Sequence, residues 1–586
     1  MSEPVKDAPK PAPKMKVDGV DIEFKPGETI LQACMRNGIF VPHYCYHPGL
    51  SISGNCRVCL VHTSKSMPPG KPVIGCQATC IEGDEVELHG PRTKAVREGV
   101  MEFLLINHPL DCPVCDQAGE CDLQQYSFDY GKTSSRFVEA KTQKPNKDFG
   151  PLVRFNGNRC INCTRCVRFC EEVTGTGELA QINRGDRNHI DIFPGMQLDN
   201  PLSACTADIC PVGALLDRDF IHKSRVWLLR GTKTVCGHCA TGCSINGEQW
   251  NDKVQRLTPR ENQAVNKWWM CDEGRLSYKE AYSTLRLDGA KKKRTAARFE
   301  DVMLEAASVV AKAIAAKKPV VGLATGYATN EELWSLRKIV EASGTTAPVG
   351  VVFAKDGPGW KSKDGFEISA DRNPNRRGVE LVIGKDAEAN VAKVKDELDK
   401  GGAAVAIVLG GIPGGAPSWK DIEGSLRKAE TIVYVGLGDG SIVERADYVL
   451  PGAHWLEKDG TFVNRKGRLQ RVRPTVPAPK DSRPDVDVLE QFSLKAGLVA
   501  RAVSAASIWK RAIAEPGSPF AGLDYARIGE LGVPIEGAED KMPPEQAKTW
   551  YEAGPVSRDP GRALDEQTRI SVHRMQAAGF GTVSGA

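Results

Sequence analysis

Every one of the 19 cysteines in this 586-residue chain lies at or before Cys271, and the last 315 residues contain none. In a reducing compartment, cysteines crowded in this way argue for metal or redox sites, not disulfides. The front half must therefore fold around metal-ligand loops, and the back half must fold without them. The tightest pattern is Arg159-Cys160-Ile161-Asn162-Cys163-Thr164-Arg165-Cys166, answered far downstream by Cys210-Pro211. C-x2-C-x2-C with a remote Cys-Pro suits a [4Fe–4S] cluster. Two intervening residues let a tight loop aim three thiolates at three irons. The fourth thiolate comes from the far end of 151–211, so the cluster staples the stretch together.

The same stretch has the layout of a ferredoxin with a damaged second site. In a two-cluster ferredoxin Cys170 would join three cysteines placed four, seven and ten residues before Cys210. Those positions hold Thr206, Ser203 and Asn200, so one cluster is expected here and Cys170 is read as a buried spare thiol.

Upstream, MKVDGVDIEF (15–24) alternates around Asp18-Gly19, a hairpin signal. Glu28 to Asn37 reads as a short helix closed by Gly38. Hairpin then helix is how a β-grasp domain begins. Cys45, Cys56, Cys59 and Cys76 follow as C-x10-C-x2-C-x16-C. The order is that of plant-type [2Fe–2S] ferredoxins with a longer first gap; a four-thiolate zinc site is the alternative. Gly54 stands where the loop must bring backbone close to sulfide. Cys34 is expected in the core, and Cys80 is spare.

Residues 93–107 are periodic in Val96, Val100, Phe103 and Leu104, predicting a helix with those four facing the core. Then come His108, Cys112, Cys115 and Cys121. Three cysteines do not fill a tetrahedral set, and His108 is the nearest further ligand. Imidazole in place of thiolate removes a negative charge and raises the potential. Cys236, Cys239, Cys243 and Cys271 form a further tetranuclear spacing, C-x2-C-x3-C-x27-C. A zinc ribbon is the alternative, and His238 lies between the ligands. The cations Arg57, Arg159, Arg165 and Arg168 lie near ligands, as potential-raising charges or as interface and solvated groups.

From 272 onward the pattern is α/β. A helix is expected over Phe299–Ala316, with strands at Lys318–Ala324, Ala403–Leu409 and Thr431–Leu437. Thr329-x-x-Glu332 is a capping box. Alternating strand and helix implies a mostly parallel sheet. The Gly-rich run 410–415 is read mainly as a turn. Net charge is +4 with pI near 8.2, and no basic tract is interleaved with aromatics, which argues against nucleic acid. No apolar run is of spanning length, and the N-terminus has no apolar signal core. The expectation is a soluble cytoplasmic chain.

Together the motifs resemble one family, the large iron–sulfur subunit of NADH-quinone oxidoreductase, respiratory complex I (the NADH-quinone oxidoreductase-G family). The resemblance rests on 41–61, 107–124, 159–172, 209–215, 236–243 with 271–275, and more weakly on 446–470, which looks like part of a molybdopterin-oxidoreductase domain. It covers roughly residues 15 to 510. It implies one [2Fe–2S] cluster on Cys45, Cys56, Cys59 and Cys76. It implies three [4Fe–4S] clusters: on His108 with Cys112, Cys115 and Cys121; on Cys160, Cys163, Cys166 and Cys210; and on Cys236, Cys239, Cys243 and Cys271. In that family electrons arrive from the flavin subunit that oxidises NADH. They cross the Cys45, Cys160 and His108 sets and leave toward the quinone-side iron–sulfur subunits. The Cys236 set lies off that path.

The implied fold is multidomain α/β and α+β. It comprises a flexible tail (1–14), a [2Fe–2S] ferredoxin-like β-grasp domain (15–92), a His/Cys3 helical segment (93–150) and a [4Fe–4S] ferredoxin-like domain (151–228). A [4Fe–4S] domain of molybdopterin-oxidoreductase type (229–285) and a shortened α/β domain of that type (286–515) follow, then an extended tail (516–586). With no thiolate in the back half, no molybdenum or pterin is expected, and no flavin or substrate in this chain. The implied place is peripheral, on the cytoplasmic face of the bacterial inner membrane, held by partners. The rivals are an NAD-linked formate dehydrogenase or hydrogenase subunit and a zinc-stabilised scaffold.

Overall fold

The computed structural model describes residues 12–411, 419–438, 440–535 and 537–538. The described chain forms two compact units that divide between Leu229 and Arg230.

The first unit opens with the expected hairpin. Lys14–Val17 pairs antiparallel with Val20–Glu23. Asp18 and Gly19 both take positive φ, 49° and 86°, as a twist-matched two-residue turn requires. Glu85–Glu87 adds in parallel, then Leu60–Thr63 and Val73–Ile74 complete a five-stranded sheet. The helix Ile30–Arg36 starts at Thr29, whose side chain forms a capping box with Gln32. Ile30, Leu31, Ala33 and Cys34 bury one face of it against Met15, Val17, Val61 and Val86. This is the β-grasp arrangement.

Helix Pro91–Leu105 follows, but it buries a different face from the one expected. Phe103 is 76% exposed, and Thr93, Arg97 and Met101 point inward instead. The reason is polar satisfaction. Arg97 donates to the carbonyls of Val58 (3.3 Å), Leu88 (3.4 Å) and Leu60 (3.5 Å) and lies 4.9 Å from the Tyr130 ring centre. Thr93 Oγ1 donates to Glu87 O at 2.8 Å. Capping strand ends with side-chain donors outweighs leaving an apolar side chain outside. Helix Asp122–Tyr130 packs beside it.

Val153–Asn156 pairs with Asn146–Asp148 and with Leu215–Asp217. The first of these strands begins at 146, so the ferredoxin-like sheet reaches back past the expected boundary at 151. Between them lie the short helix Arg165–Arg168, a wide helical turn over Phe169–Thr174 and the hairpin Leu179–Ile182 with His189–Ile192.

The second unit begins with an antiparallel sheet of Arg230–Val235, Ser244–Trp250 and Lys253–Pro259. A seven-stranded sheet follows. Its order is Thr295–Ala296, Lys291–Lys292, Tyr448–Pro451, Thr431–Gly436, Val405–Leu409, Val320–Thr325 and Gly350–Val352. The last five are parallel. Their near-continuous burial is what helices on both faces require. Helix Phe299–Ala315 forms as expected, and Thr329 and Glu332 make both bonds of the capping box that opens Asn330–Ala342. Most of the Gly-rich run at 410–415 lies outside the described residues.

The tail expected from 516 is corrected as far as 535. Phe520, Ile528 and Ile535 are buried, and Val533–Pro534 adds a strand to Arg468–Val472. Three anchors spaced seven or eight residues apart have no helical or strand period, so the sequence pattern hides them. Residues 539–586 lie outside the described residues.

Candidate metal centres

The Cys45 set is built by the β-grasp loops. Cys45, Cys56, Cys59 and Cys76 are all buried. Their thiols touch one another: Cys45 hydrogen-bonds with Cys56 and Cys76, and Cys59 with Cys76. Those bonds hold the Cys45 and Cys59 thiols below, and those of Cys56 and Cys76 above, their ordinary range. Tyr44 N donates to Cys56 Sγ at 3.4 Å. Gly54 is buried at φ +65°, and a Cβ there would collide with the Gln77 amide, so only glycine lets the loop close down. Arg57, by contrast, is exposed at φ 62°.

The Cys160 set lines a single apolar pocket. Cys160, Cys163, Cys166 and Cys210 face one another across Phe155, Ile190, Val212 and Leu215. Asn162 and Thr164 adopt left-handed φ, 51° and 61°, which curls the loop. Asn162 N donates to Cys160 Sγ at 3.4 Å. Burial pushes the Cys160 thiol up to about 12 and Cys163 to about 11. Thiols this desolvated ionise only against a strong local positive charge, which coordinated metal supplies.

In the His108 set, Cys115 is buried and His108, Cys112 and Cys121 are partly so. A Cβ on Gly213 would collide with Cys115 Sγ, which places this loop against the segment after Cys210. Burial, with Lys141 and Arg159 adding to it against the opposing pull of Asp111, lowers His108 to about 4. The imidazole is therefore neutral near pH 7 and keeps a lone pair to offer a metal. Asp122 N donates to Pro211 O at 3.1 Å, joining the residue after Cys121 to the residue after Cys210.

The Cys236 set sits in the second unit, at one end of its antiparallel sheet. All four thiols are 4% exposed. Cys236 N donates to Cys243 O at 2.9 Å, and Gly274 N to Cys271 Sγ at 3.3 Å. A Cβ on Gly274 would lie 3.1 Å from Cys271 Sγ and 3.2 Å from Cys236 Sγ, so these two converge on one glycine. His238 turns toward Glu273, its Nε2 3.4 Å from Oε2.

Among the described residues no three His, Cys, Asp or Glu side chains gather at the spacing of a single bound ion. In a polynuclear cluster each thiolate meets a different iron, so the sets are judged by burial and backbone donors. On those grounds the residues fit clusters.

At the damaged second site, Asn200, Ser203 and Thr206 are buried with Cys170. Asn200 Nδ2 donates to Glu178 Oε1 at 2.9 Å, and Cys170 hydrogen-bonds with Glu178. A buried polar knot around Glu178 occupies this place. Cys205, which no spacing argument assigns, is also buried. Residues that sequence patterns do not mark include Asp111, Glu172 and Ser51, which tie loops together across long stretches of chain.

Five family models match in succession. These are a 2Fe-2S iron-sulfur cluster binding domain (14–90) and the NADH-ubiquinone oxidoreductase-G iron-sulfur binding region (97–136). Next come the ferredoxin-like domain of NADH-quinone oxidoreductase subunit 3 (150–216), the molybdopterin oxidoreductase Fe4S4 domain (229–283) and molybdopterin oxidoreductase (355–495). NADH-quinone oxidoreductase-G of Rickettsia conorii is 40% identical over 334 residues, 57% of this chain and 49% of its own length. The mitochondrial NADH dehydrogenase [ubiquinone] iron-sulfur protein 1 of Solanum tuberosum is 36% identical over 66% of this chain and 52% of its own. A chain of the NAD+-reducing [NiFe]-hydrogenase in the H2-reduced state is 29% identical, covering 36% of this chain and 91% of its own, with a TM-score of 0.33. The chain spans about half the length of the curated relatives it matches. By its sequence and its succession of iron–sulfur domains, it is a homologue of NADH-quinone oxidoreductase-G, the iron–sulfur subunit of that oxidoreductase.

Proposed function

We propose that this chain is an iron–sulfur electron-transfer subunit of an NADH-quinone oxidoreductase. It relays electrons from an NADH-oxidising flavin subunit toward quinone-side iron–sulfur subunits. The observation that carries the reading is the convergence of buried thiols in desolvated loops with backbone N–H donors, within the domains that match iron–sulfur families. Cys45, Cys56, Cys59 and Cys76 would hold a [2Fe–2S] cluster. The His108, Cys160 and Cys236 sets would each hold a [4Fe–4S] cluster. When bound, such clusters supply one-electron transfer without making or breaking a substrate bond. The chain's part is to fix the ligands, exclude water and set the local field. His108, neutral and partly buried, would give its set one less negative charge than four thiolates.

The molybdopterin-type domain is proposed as a scaffold without molybdenum or pterin. No cysteine follows Cys271 to ligate the metal. Among the described residues no helix is long and apolar enough to cross a membrane. The proposed place is therefore peripheral, at the cytoplasmic face of the inner membrane, through partner subunits.

The test is anaerobic iron, sulfide, zinc and molybdenum content, with EPR after dithionite. Four filled sites require about 14 iron atoms per chain, two for the binuclear site and four for each tetranuclear one. About 10 would leave one tetranuclear site empty. Stoichiometric zinc with no EPR signal would sink the electron-transfer reading.

A further inference from the structure

One guanidinium joins the loop of Cys45 to the loop of Cys160. Arg168 is 8% exposed. Its NH2 donates to Cys45 O at 2.6 Å and to Cys163 O at 3.3 Å. Its NH1 donates to Ser51 O, and its Nε to Thr164 Oγ1 at 3.3 Å. A single side chain thus bonds the main chain of a candidate ligand in each of two sets.

Arg165 repeats the pattern one turn earlier. Its NH2 donates to Tyr46 O at 2.6 Å and its NH1 to Ile209 O at 3.1 Å, the neighbours of Cys45 and of Cys210. Around this pair, Glu172 accepts from Ser51 N at 2.8 Å and Ser51 Oγ at 2.5 Å, and Asn55 Nδ2 donates to Asn162 O at 3.2 Å. Among the described residues neither guanidinium forms an ion pair with a carboxylate; all their polar partners are neutral oxygens. A buried cation without a counter-charge is costly. The anions nearest to hand are the thiolates of the two sets, and Cys163 and Cys45 are the first groups that favour the charge of Arg168.

We propose that Arg168 is a positioning residue for electron transfer between the Cys45 set and the Cys160 set. It fixes the separation of the two ligand loops, and its charge favours the reduced, more negative state on both sides. The inference rests on the electron-transfer reading above. The step it serves moves one electron, with no proton or bond change. Only arginine's planar fork reaches both carbonyls at once; a lysine keeps the charge and loses the fork.

The experiment uses the full chain with its clusters assembled anaerobically. EPR-monitored redox titration gives a midpoint for each cluster, and pulsed EPR gives the dipolar coupling between the two reduced centres. In Arg168→Gln, reduction of both clusters should become about tenfold less favourable, roughly 59 mV for one electron, while the cluster of the Cys236 set stays put. In Arg168→Lys the midpoints should hold within about twofold and the dipolar coupling should change. Should Arg168→Gln leave both midpoints within twofold, or shift the Cys236 cluster equally, the electrostatic half is overturned. Should Arg168→Lys match wild type in coupling, the positioning half is overturned. If Arg168→Gln does not hold clusters, the lysine variant alone decides, through midpoint and coupling together. A wild-type chain with no EPR-active cluster would instead overturn the electron-transfer reading itself.

Discussion

Arg159 donates from Nε at 2.9 Å and from NH2 at 2.6 Å to a single carboxylate oxygen, Oδ2 of Asp111. Each residue stands immediately before a candidate ligand, Cys160 and Cys112. Two ligand loops separated by nearly fifty residues are therefore clamped by one charge-assisted contact. Asp111→Asn should destabilise the first unit by about 1–3 kcal/mol, the range for a lost hydrogen bond to a charged group. It should also weaken the EPR signal of the His108 set before that of the Cys45 set. A urea titration with unchanged midpoint would contradict the clamp.

Gly54→Ala places a side chain on a backbone at φ +65°. The left-handed conformation costs a non-glycine residue about 1–2 kcal/mol, and the Gln77 amide must also move aside. Thermal melting should shift down accordingly, and bound iron should fall by about two atoms, the content of a binuclear site. A variant with wild-type iron and wild-type melting would show that the loop does not need its glycine.

The Cys236 set belongs to a separate compact unit. Cys236→Ala should remove about four irons and one tetranuclear EPR signal, leaving the signals of the first unit intact. Loss of all signals together would mean that the units do not assemble independently.

Glu331 in the second unit accepts from Thr461 N at 2.8 Å and Tyr525 OH at 2.8 Å while fully buried, and burial raises its carboxyl to about 7. The sign follows from the proton count. Between the ordinary 4.5 and about 7 the folded state holds a proton that the unfolded state has released. Stability is thus fullest below about 4.5 and falls as pH rises through 7, by roughly 3 kcal/mol at most for this group. Glu331→Gln should flatten that slope in chemical denaturation of the second unit. An unchanged slope would assign the pH dependence to other groups.

The ligand loops were legible because cluster chemistry acts through spacing: two residues between thiolates, glycine where backbone closes down, Cys-Pro at a distance. The hairpin at Asp18-Gly19 and the capping box at Thr329 were legible for the same reason, since each is a local rule. Arg97 was not. Nothing in its neighbours' sequence shows that three carbonyls, those of Val58, Leu60 and Leu88, need a donor there. The contacts of Arg168 with Cys45 and Ser51 span more than a hundred residues, and only the folded chain brings them together. Phe520, Ile528 and Ile535 escaped notice because isolated anchors carry no period.

The bond from Asp122 N to Pro211 O has a bearing on biogenesis. It ties the chain just after Cys121 to the chain just after Cys210, so neither loop can settle while the other is open. Maturation then delivers iron to a pair of nests that take shape in one folding event. Oxidative loss at either nest leaves both to be repaired.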